Sequence, residues 1–278
     1  MNYAPSQGVD IYVETAGAGP PILFLHELAS DARQLRGQIT ALSPRFRCVV
    51  FNARGYPPST VPPDDDAYRW ERQVDDVGAV LDQLGIERAW LVGWSMGAYT
   101  ALQFALRRPG RVLGVVATSV GSGSPPADQP AFRASMRELA DAWEHQGPEA
   151  AAALIAAGVG RQALRRRNPA AWDAWLADLK THSQGGMART CRNFQGLRPS
   201  LEDFAEPLSR LDLPVLLIVG EEDAPCLETT SFLARALPRA RLWTVPGGGH
   251  SPNLEDPAAY NAAIAAFIDE AAAGPSSG

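Results

Sequence analysis

A serine lies between two glycines in the segment Gly93-Trp94-Ser95-Met96-Gly97, after an apolar run and before a helix-forming stretch. This G-x-S-x-G pattern between a strand and a helix is typical of a nucleophile elbow, in which the glycines make room for a sharp turn and the serine hydroxyl is exposed. The Met96 backbone N–H, at the start of the helix, can donate to a developing oxyanion. We therefore predict that Ser95 attacks a carbonyl carbon and forms an acyl-enzyme.

A nucleophilic serine needs a base, and the base needs a carboxylate that orients it. His250 in "VPGGGHSPNLEDP" follows one predicted strand, and Asp223 in "LLIVGEEDAPC" follows the strand before it. Ser95, Asp223 and His250 thus each come at the carboxyl end of a separate strand, where parallel α/β sheets present their ligands. Glu221 and Glu222 are the alternatives to Asp223 as the orienting acid.

Short apolar runs rich in Val, Ile and Leu alternate with helical patterns, which indicates βαβ units around a buried parallel sheet. One helical stretch opens with the capping candidates Ser30 and Asp31, and another is stopped by Gly85. The predicted fold class is α/β, with a mostly parallel central sheet and helices on both faces. The predicted strands are Val9–Glu14, Ile22–Leu25, Cys48–Asn52, Ala89–Val92, Val112–Thr118, Val215–Val219 and Leu242–Val245.

The alternation is interrupted once, between Gly121 and Leu213. "GSGSPPADQP" has the composition of a linker, and the sequence after it carries helical patterns without a convincing strand. We predict a core formed by residues 1–124 and 206–272, with a helical cap inserted at 125–205. Residues 273–278 are predicted to form a disordered tail.

Composition excludes several classes of function. The chain of 278 residues is 46% hydrophobic and carries a net charge of −6, which argues against nucleic acid as a partner. Three cysteines, Cys48, Cys191 and Cys226, lie far apart and fit neither a disulfide framework nor a zinc site. The N-terminus lacks the pattern of a signal peptide, and no apolar run approaches the length of a membrane span. We expect a soluble, cytoplasmic protein that acts on a small molecule and not on a membrane.

Five stretches of the sequence resemble the α/β-hydrolase superfamily: "LHELAS", "FNARGYPPS", "VGWSMGAYTALQFA", "PVLLIVGEEDAPC" and "GGGHSPNLEDP". The resemblance covers nearly the whole chain, including an inserted segment where this family carries a helical cap. It implies a nucleophile at Ser95, a general base at His250, an acid at Asp223, and an oxyanion hole from the N–H groups of Met96 and Leu28. It implies no metal and no organic cofactor.

Glu27 departs from the pattern of this superfamily, whose members usually carry His-Gly where this sequence has His26-Glu27. A carboxylate about 4 Å from a developing oxyanion would repel it by about 4 kcal/mol at an effective dielectric near 20. Three explanations are open: Glu27 points away and pairs with a cation such as Arg54, it is protonated in an apolar pocket, or it takes part in chemistry beyond hydrolysis. Glu27 and Trp94, which flank the predicted oxyanion site and nucleophile, are predicted to contact the substrate.

The other histidines and the tryptophans of the inserted segment have structural interpretations. His26 is predicted to be hydrogen-bonded beneath its loop, and His145 and His182 to lie at the surface unless they face the cleft. Three tryptophans are predicted to form the core of the cap, with an aromatic substrate pocket as the alternative: Trp143, Trp172 and Trp175.

The leading hypothesis is a serine hydrolase of a small, mostly apolar carbonyl substrate: an ester, a lactone or a compound with a cleavable carbon–carbon bond. The alternative uses the same fold for a non-hydrolytic, lyase or cyclase reaction in a biosynthetic pathway, with Glu27 taking part. A ligand-binding protein with little turnover is the third hypothesis, and the filled positions Ser95, Asp223 and His250 argue against it.

Overall fold

A computed structural model describes residues 2–273 of the chain. The last helix ends at Ala272, with Ala273 as its C-cap residue, and residues 274–278 of the predicted tail lie outside the described part. Among the helices of residues 2–273, none combines the length and the apolar composition that a membrane span requires.

The centre of the fold is an eight-stranded sheet in the order β1-β2-β4-β3-β5-β6-β7-β8. The first two strands pair antiparallel, and β3 to β8 run parallel. The predicted α/β fold with a mostly parallel sheet is thereby confirmed. The strands are β1 (Tyr3–Ser6), β2 (Val9–Ala16), β3 (Pro21–Leu25), β4 (Arg47–Phe51), β5 (Ala89–Trp94), β6 (Val112–Thr118), β7 (Val215–Gly220) and β8 (Ala240–Val245).

All seven predicted strands form, with ends shifted by at most a few residues, but β1 was missed. Its sequence, "YAPS", has no apolar run, and only alternate residues of it are buried. It is a strand because it pairs with β2 at the edge of the sheet, a contact that the local pattern does not encode.

Helices cover both faces of the sheet. Helices α2, α3 and α10 pack on one face and α1 and α12 on the other. Alternate residues of β3 point to opposite faces, so Leu23 packs with the first group and Phe24 with the second. The helices are α1 (Arg36–Leu42), α2 (Trp70–Gln83), α3 (Met96–Arg107), α4 (Gln129–Asp141), α5 (Pro148–Ala156), α6 (Gln162–Arg167), α7 (Pro169–Leu179), α8 (Gln184–Arg189), α9 (Ala205–Ser209), α10 (Ala224–Ala236), α11 (Pro252–Glu255) and α12 (Pro257–Ala272).

The segment between β6 and β7 contains helices α4 to α9 and, in this fully described stretch, no strand. Its three tryptophans are buried: Trp143, Trp172 and Trp175. Two cavities open beside Ser95, and none of the three tryptophans borders them. The prediction that they form the core of this segment is therefore confirmed, and the alternative of an aromatic substrate pocket is not.

Candidate active site

Ser95 lies in the sharp turn between β5 and α3. Its backbone φ is +50°, a left-handed conformation that a residue with a Cβ rarely adopts. A side chain at either glycine of the motif would clash with the backbone. A Cβ on Gly93 would lie 2.5 Å from the Gly97 carbonyl oxygen, and one on Gly97 would lie 2.2 Å from the Leu25 carbonyl oxygen. The spacing of the motif is therefore dictated by close backbone contacts, which present the half-buried Ser95 to a cavity.

His250 and Asp223 meet at the carboxyl ends of β7 and β8. The His250 Nδ1 atom lies 3.0 Å from Asp223 Oδ2 and 3.1 Å from Oδ1. Neither alternative acid reaches the imidazole, because Glu221 accepts from the Gly247 N–H and Glu222 pairs with Arg166 at the surface. Of the three candidate acids, Asp223 is the one that contacts His250.

The charges of this pair stabilise each other. Burial lowers the pKa of His250, but the Asp223 carboxylate at Nδ1 outweighs burial and holds that pKa well above 6.5. Burial likewise raises the pKa of Asp223, and His250 more than offsets it, so the pKa of the carboxyl falls below its usual value. Asp223 is therefore ionised, and its charge favours the protonated form of His250.

Leu28 and Met96, whose N–H groups are predicted to form the oxyanion hole, lie beside Ser95. Met96 is the first residue of α3, where N–H groups have no acceptor within the helix. Leu28 lines the cavity from the loop after β3, and the Tyr56 hydroxyl donates to the Leu28 carbonyl oxygen at 2.8 Å. Both residues predicted for an oxyanion hole thus border the cavity together with Ser95.

His26 supports this loop from below, as predicted. Its Nε2 atom accepts a hydrogen bond from the Ala53 N–H at 2.9 Å, so its Nδ1 carries the proton and donates to the Glu27 carbonyl oxygen at 2.7 Å. Burial lowers the pKa of His26 to about 4, which keeps it neutral. The ring fixes the path of the loop that carries Leu28.

Glu27 pairs with a cation, but the expected partner was wrong. The guanidinium of Arg161, from the inserted segment, binds both carboxylate oxygens: Nη1 donates to Oε1 at 2.7 Å and Nη2 to Oε2. Arg54 instead binds both oxygens of Asp76, at 2.6 and 2.8 Å. Both pairs are buried, so each arginine is committed to its own carboxylate.

Glu27 does not point away from the site. Its Oε2 atom lies 3.6 Å from His250 Nε2, the nitrogen opposite Asp223. Burial raises the pKa of Glu27, but Arg161 and His250 outweigh burial and lower it to about 2. This low pKa and the two hydrogen bonds from Arg161 favour the ionised form of Glu27 over the protonated one. His250 thus lies between two carboxylates, with Arg161 as the second cation of the group.

Arg161 belongs to a short helical turn, Val159–Arg161, that lies directly on the His250 loop. The Gly160 carbonyl oxygen accepts from the His250 N–H at 2.7 Å, and a Cβ on Gly160 would lie 2.9 Å from Asp223 Oδ1. The Arg161 guanidinium also donates to Ser251 Oγ at 3.0 Å and stacks 5.0 Å from the Trp175 ring centroid. This turn couples the inserted segment to the site. Sequence reasoning missed Arg161, although a buried Glu27 required a cation.

Trp94 is not placed to contact a substrate, contrary to the prediction. Its side chain is buried, lines neither cavity beside Ser95, and donates from Nε1 to the His250 carbonyl oxygen at 2.7 Å. The reason is the alternation of β5, which points residue 94 away from the cavity that Ser95 faces. Trp94 supports the backbone of His250.

The two remaining histidines differ. His145 is exposed, as predicted, whereas His182 is buried against the Tyr56 ring, with its Nε2 atom 3.7 Å from Asp31 Oδ2. The surface prediction was wrong for His182 because α7 ends against the loop after β3.

Two adjoining cavities open beside Ser95. The inner one, about 140 Å³, is bordered by Glu27, Ser95, Arg198 and His250. The outer one, about 370 Å³, has mainly apolar walls, including Leu139, Leu154 and Val159. Arg161 and His250 border both cavities. This shape suits a molecule whose small polar group lies near Ser95 in the inner cavity and whose apolar part lies in the outer cavity.

Donor atoms of Asp223, Cys226 and His250 lie within 4.8 Å of one another. A metal would need the Cys226 thiolate, but burial raises the pKa of this thiol to about 11, and its Sγ donates to the Ser119 carbonyl oxygen. The chemistry of this donor set therefore suits a hydrogen-bonded His–Asp pair better than a metal.

A family model described as alpha/beta hydrolase fold matches residues 20–257. A Bacillus subtilis relative that carries the provisional name 2-succinyl-6-hydroxy-2,4-cyclohexadiene-1-carboxylate synthase is 27% identical over 96% of this chain and 98% of its own length. An esterase from Thermogutta terrifontis has a TM-score of 0.84 at 24% identity, over 98% of this chain and 97% of its own. The enol-lactonase of Burkholderia xenovorans has a TM-score of 0.83 at 24% identity, over 96% of this chain and 99% of its own. The two structures are similar to this chain in fold.

Proposed function

We propose that this chain, which belongs to the alpha/beta hydrolase fold family and is an α/β-hydrolase enzyme, cleaves a small carbonyl substrate through an acyl-enzyme on Ser95. The observation that carries the proposal is that Ser95 and His250 border one cavity together with Leu28 and Met96, while Asp223 is hydrogen-bonded to the far side of His250. The acyl group would belong to an ester, a lactone or a ketone whose carbon–carbon bond is cleaved.

The steps follow from the position of each group. Neutral His250 takes the Ser95 proton as Ser95 attacks the carbonyl carbon, and Asp223 stabilises the imidazolium that results. The Leu28 and Met96 N–H groups donate to the oxyanion, and His250 gives its proton to the leaving group. His250 then activates a water molecule that releases the acyl group from Ser95.

The Glu27–Arg161 pair adjusts the charge at this site. Glu27 alone would favour the imidazolium but oppose the oxyanion, since both effects depend on its negative charge. Arg161 binds both carboxylate oxygens and cancels much of that field beyond the pair. We infer that Glu27 is compatible with hydrolysis because the positive charge of Arg161 balances its negative charge.

We propose that residues 125–205 act as a cap that selects the substrate. They supply apolar walls of the outer cavity and the Val159–Arg161 turn on the His250 loop. The expected substrate is therefore a small molecule, mostly apolar outside the inner cavity.

The three cysteines are unpaired and buried, which supports a reducing, cytoplasmic location.

A second candidate is a non-hydrolytic reaction, such as an elimination, in which His250 and Glu27 move a proton. The 3.6 Å approach of Glu27 Oε2 to His250 Nε2 favours it. The two candidates differ in their need for the serine. A reaction carried by His250 and Glu27 alone would survive Ser95→Ala, whereas acyl transfer would not.

The pH dependence of hydrolysis tests the role of His250. A general base acts only when unprotonated, and the pKa of His250 lies well above 6.5. We therefore expect kcat/KM for a neutral ester to be low at pH 6 and to rise through a single limb on the alkaline side of 6.5. The groups around His250 are Asp223, Cys226, Glu27 and Arg161. The pKa of Glu27, about 2, and that of Cys226, about 11, lie away from this limb.

Asp223→Asn provides the control, because it removes the carboxylate that raises the pKa of His250. The limb should move to lower pH in this variant while the plateau rate falls. A profile whose limb lies below pH 6.5 in the wild type, or one that Asp223→Asn leaves in place, would contradict the assignment of His250.

A further inference from the structure

Arg198 is a buried cation at the edge of the inner cavity. It is 8% exposed and borders the same cavity as Ser95 and His250. Its Nε donates to Gln195 Oε1 at 2.9 Å and its Nη2 to the Ser122 carbonyl oxygen at 2.5 Å. The guanidinium carbon lies over the rings of Tyr99 and Phe132, 4.9 and 5.1 Å from their centroids. Packing and two neutral acceptors hold it in one orientation.

Arg198 differs from the other buried arginines of the described chain. Arg54 and Arg161 are also buried, and each binds two oxygens of a carboxylate. Between residues 2 and 273, no carboxylate lies within ion-pair distance of Arg198, and its Nη1 has no protein acceptor. Its positive charge is therefore uncompensated within the described protein.

An unpaired buried cation is costly, because burial removes water without supplying a counter-charge. Burial lowers the pKa of Arg198, yet a guanidinium stays protonated in proteins. A guanidinium held without a counter-charge at a cavity wall can bind an anion that enters the cavity. A planar carboxylate fits best, since it can accept two parallel hydrogen bonds from a guanidinium.

We propose that Arg198 binds a carboxylate group of the substrate, so that this enzyme acts on a carbonyl compound with a carboxylate close to the scissile carbonyl. This inference rests on the proposed function, because it places the carbonyl at Ser95. The two groups must be close together, since the inner cavity that Ser95 and Arg198 share is only about 140 Å³. The rest of the substrate occupies the apolar outer cavity.

Arg161 cannot substitute for Arg198 in this role. It borders the same cavity, but Glu27 already occupies both ends of its guanidinium. An anion that approached Arg161 would also meet the negative charge of Glu27. Arg198 is thus the arginine of the inner cavity whose charge is available to a ligand.

Equilibrium binding of benzoate and its neutral isostere benzamide tests the proposal without turnover. Isothermal titration calorimetry should find that wild-type protein binds benzoate at least about tenfold more tightly, the preference expected of a charge-assisted hydrogen bond. In Arg198→Gln the two ligands should bind about equally, and a thermal melting curve shows whether the variant is folded. Arg133→Gln, at an exposed position of α4, is the matched control and should keep the preference.

Equal binding of the two ligands by the wild type, or an unchanged preference in Arg198→Gln, would overturn the proposal. Arg198→Lys keeps the charge but loses the planar donor pair, so its preference should be weaker than that of the wild type. If Arg198→Gln does not fold, an equal preference in Arg198→Lys and wild type overturns the proposal instead. Benzoate bound through Arg198 in a protein whose Ser95 proves unreactive would contradict the proposed hydrolysis and leave this binding site standing.

Discussion

Replacing Ser95 with alanine should lower kcat/KM for a short ester such as 4-nitrophenyl butyrate by at least about 10⁴-fold. The hydroxyl is the atom that would be acylated, so its removal leaves the proposed mechanism without a nucleophile. The melting temperature should stay the same, since backbone bonds hold the elbow: the Ser95 N–H donates to Thr118 at 2.8 Å and the Tyr99 N–H to Ser95 at 3.0 Å.

Ser122→Ala is the matched control for that loss. Ser122 borders both cavities, and its contact with Arg198 is made by its backbone carbonyl oxygen, which the substitution keeps. Steady-state kinetics should find this variant within a few-fold of the wild type. Activity that persists in Ser95→Ala would refute the acyl-enzyme and favour the proton transfer by His250 and Glu27.

Arg161→Met should lower the free energy of unfolding by about 3–5 kcal/mol, because it leaves a buried carboxylate without its cation. Glu27 is 1% exposed, and both of its oxygens bind Arg161. The remaining charge would also repel an oxyanion, so kcat/KM should fall at least about tenfold. Urea denaturation and ester kinetics measure the two effects.

Two further variants separate the buried pair from an ordinary surface pair. Arg166→Met breaks an exposed ion pair between α6 and Glu222, and it should cost about 1 kcal/mol or less. The double variant Glu27→Gln with Arg161→Met should lose less stability than the sum of the single variants, since it leaves no unpaired charge. A loss in Arg161→Met no larger than in Arg166→Met would show that the buried pair does not stabilise the fold.

The positions of Ser95, Asp223 and His250 could be predicted from the sequence because each follows a strand of the parallel sheet. Parallel strands end at the same edge, so residues far apart in the chain are brought together by the topology. The glycines beside Ser95 could be interpreted for a similar reason, since local backbone crowding requires them. These features depend on strand order and local turns, which leave clear signals in the pattern.

The inserted segment leaves no comparable signal. Its helices have no sheet to fix their order in space, so neither Arg161 nor Arg198 could be assigned to the site from spacing. Arg54, close to His26 and Glu27 in the predicted sheet, was the natural partner to expect for Glu27. It binds Asp76 instead, because its side chain faces α2. Trp94 and His182 were misplaced because burial depends on tertiary contacts.

Intact-mass spectrometry after treatment with a small fluorophosphonate tests the central claim most directly, because this reagent phosphonylates a serine that a base activates beside an oxyanion hole. We predict a single adduct on the wild-type protein and none on Ser95→Ala, with the modified peptide containing Ser95. A folded wild-type protein that forms no adduct, or an adduct that persists in Ser95→Ala, would contradict the assignment of Ser95 as the nucleophile.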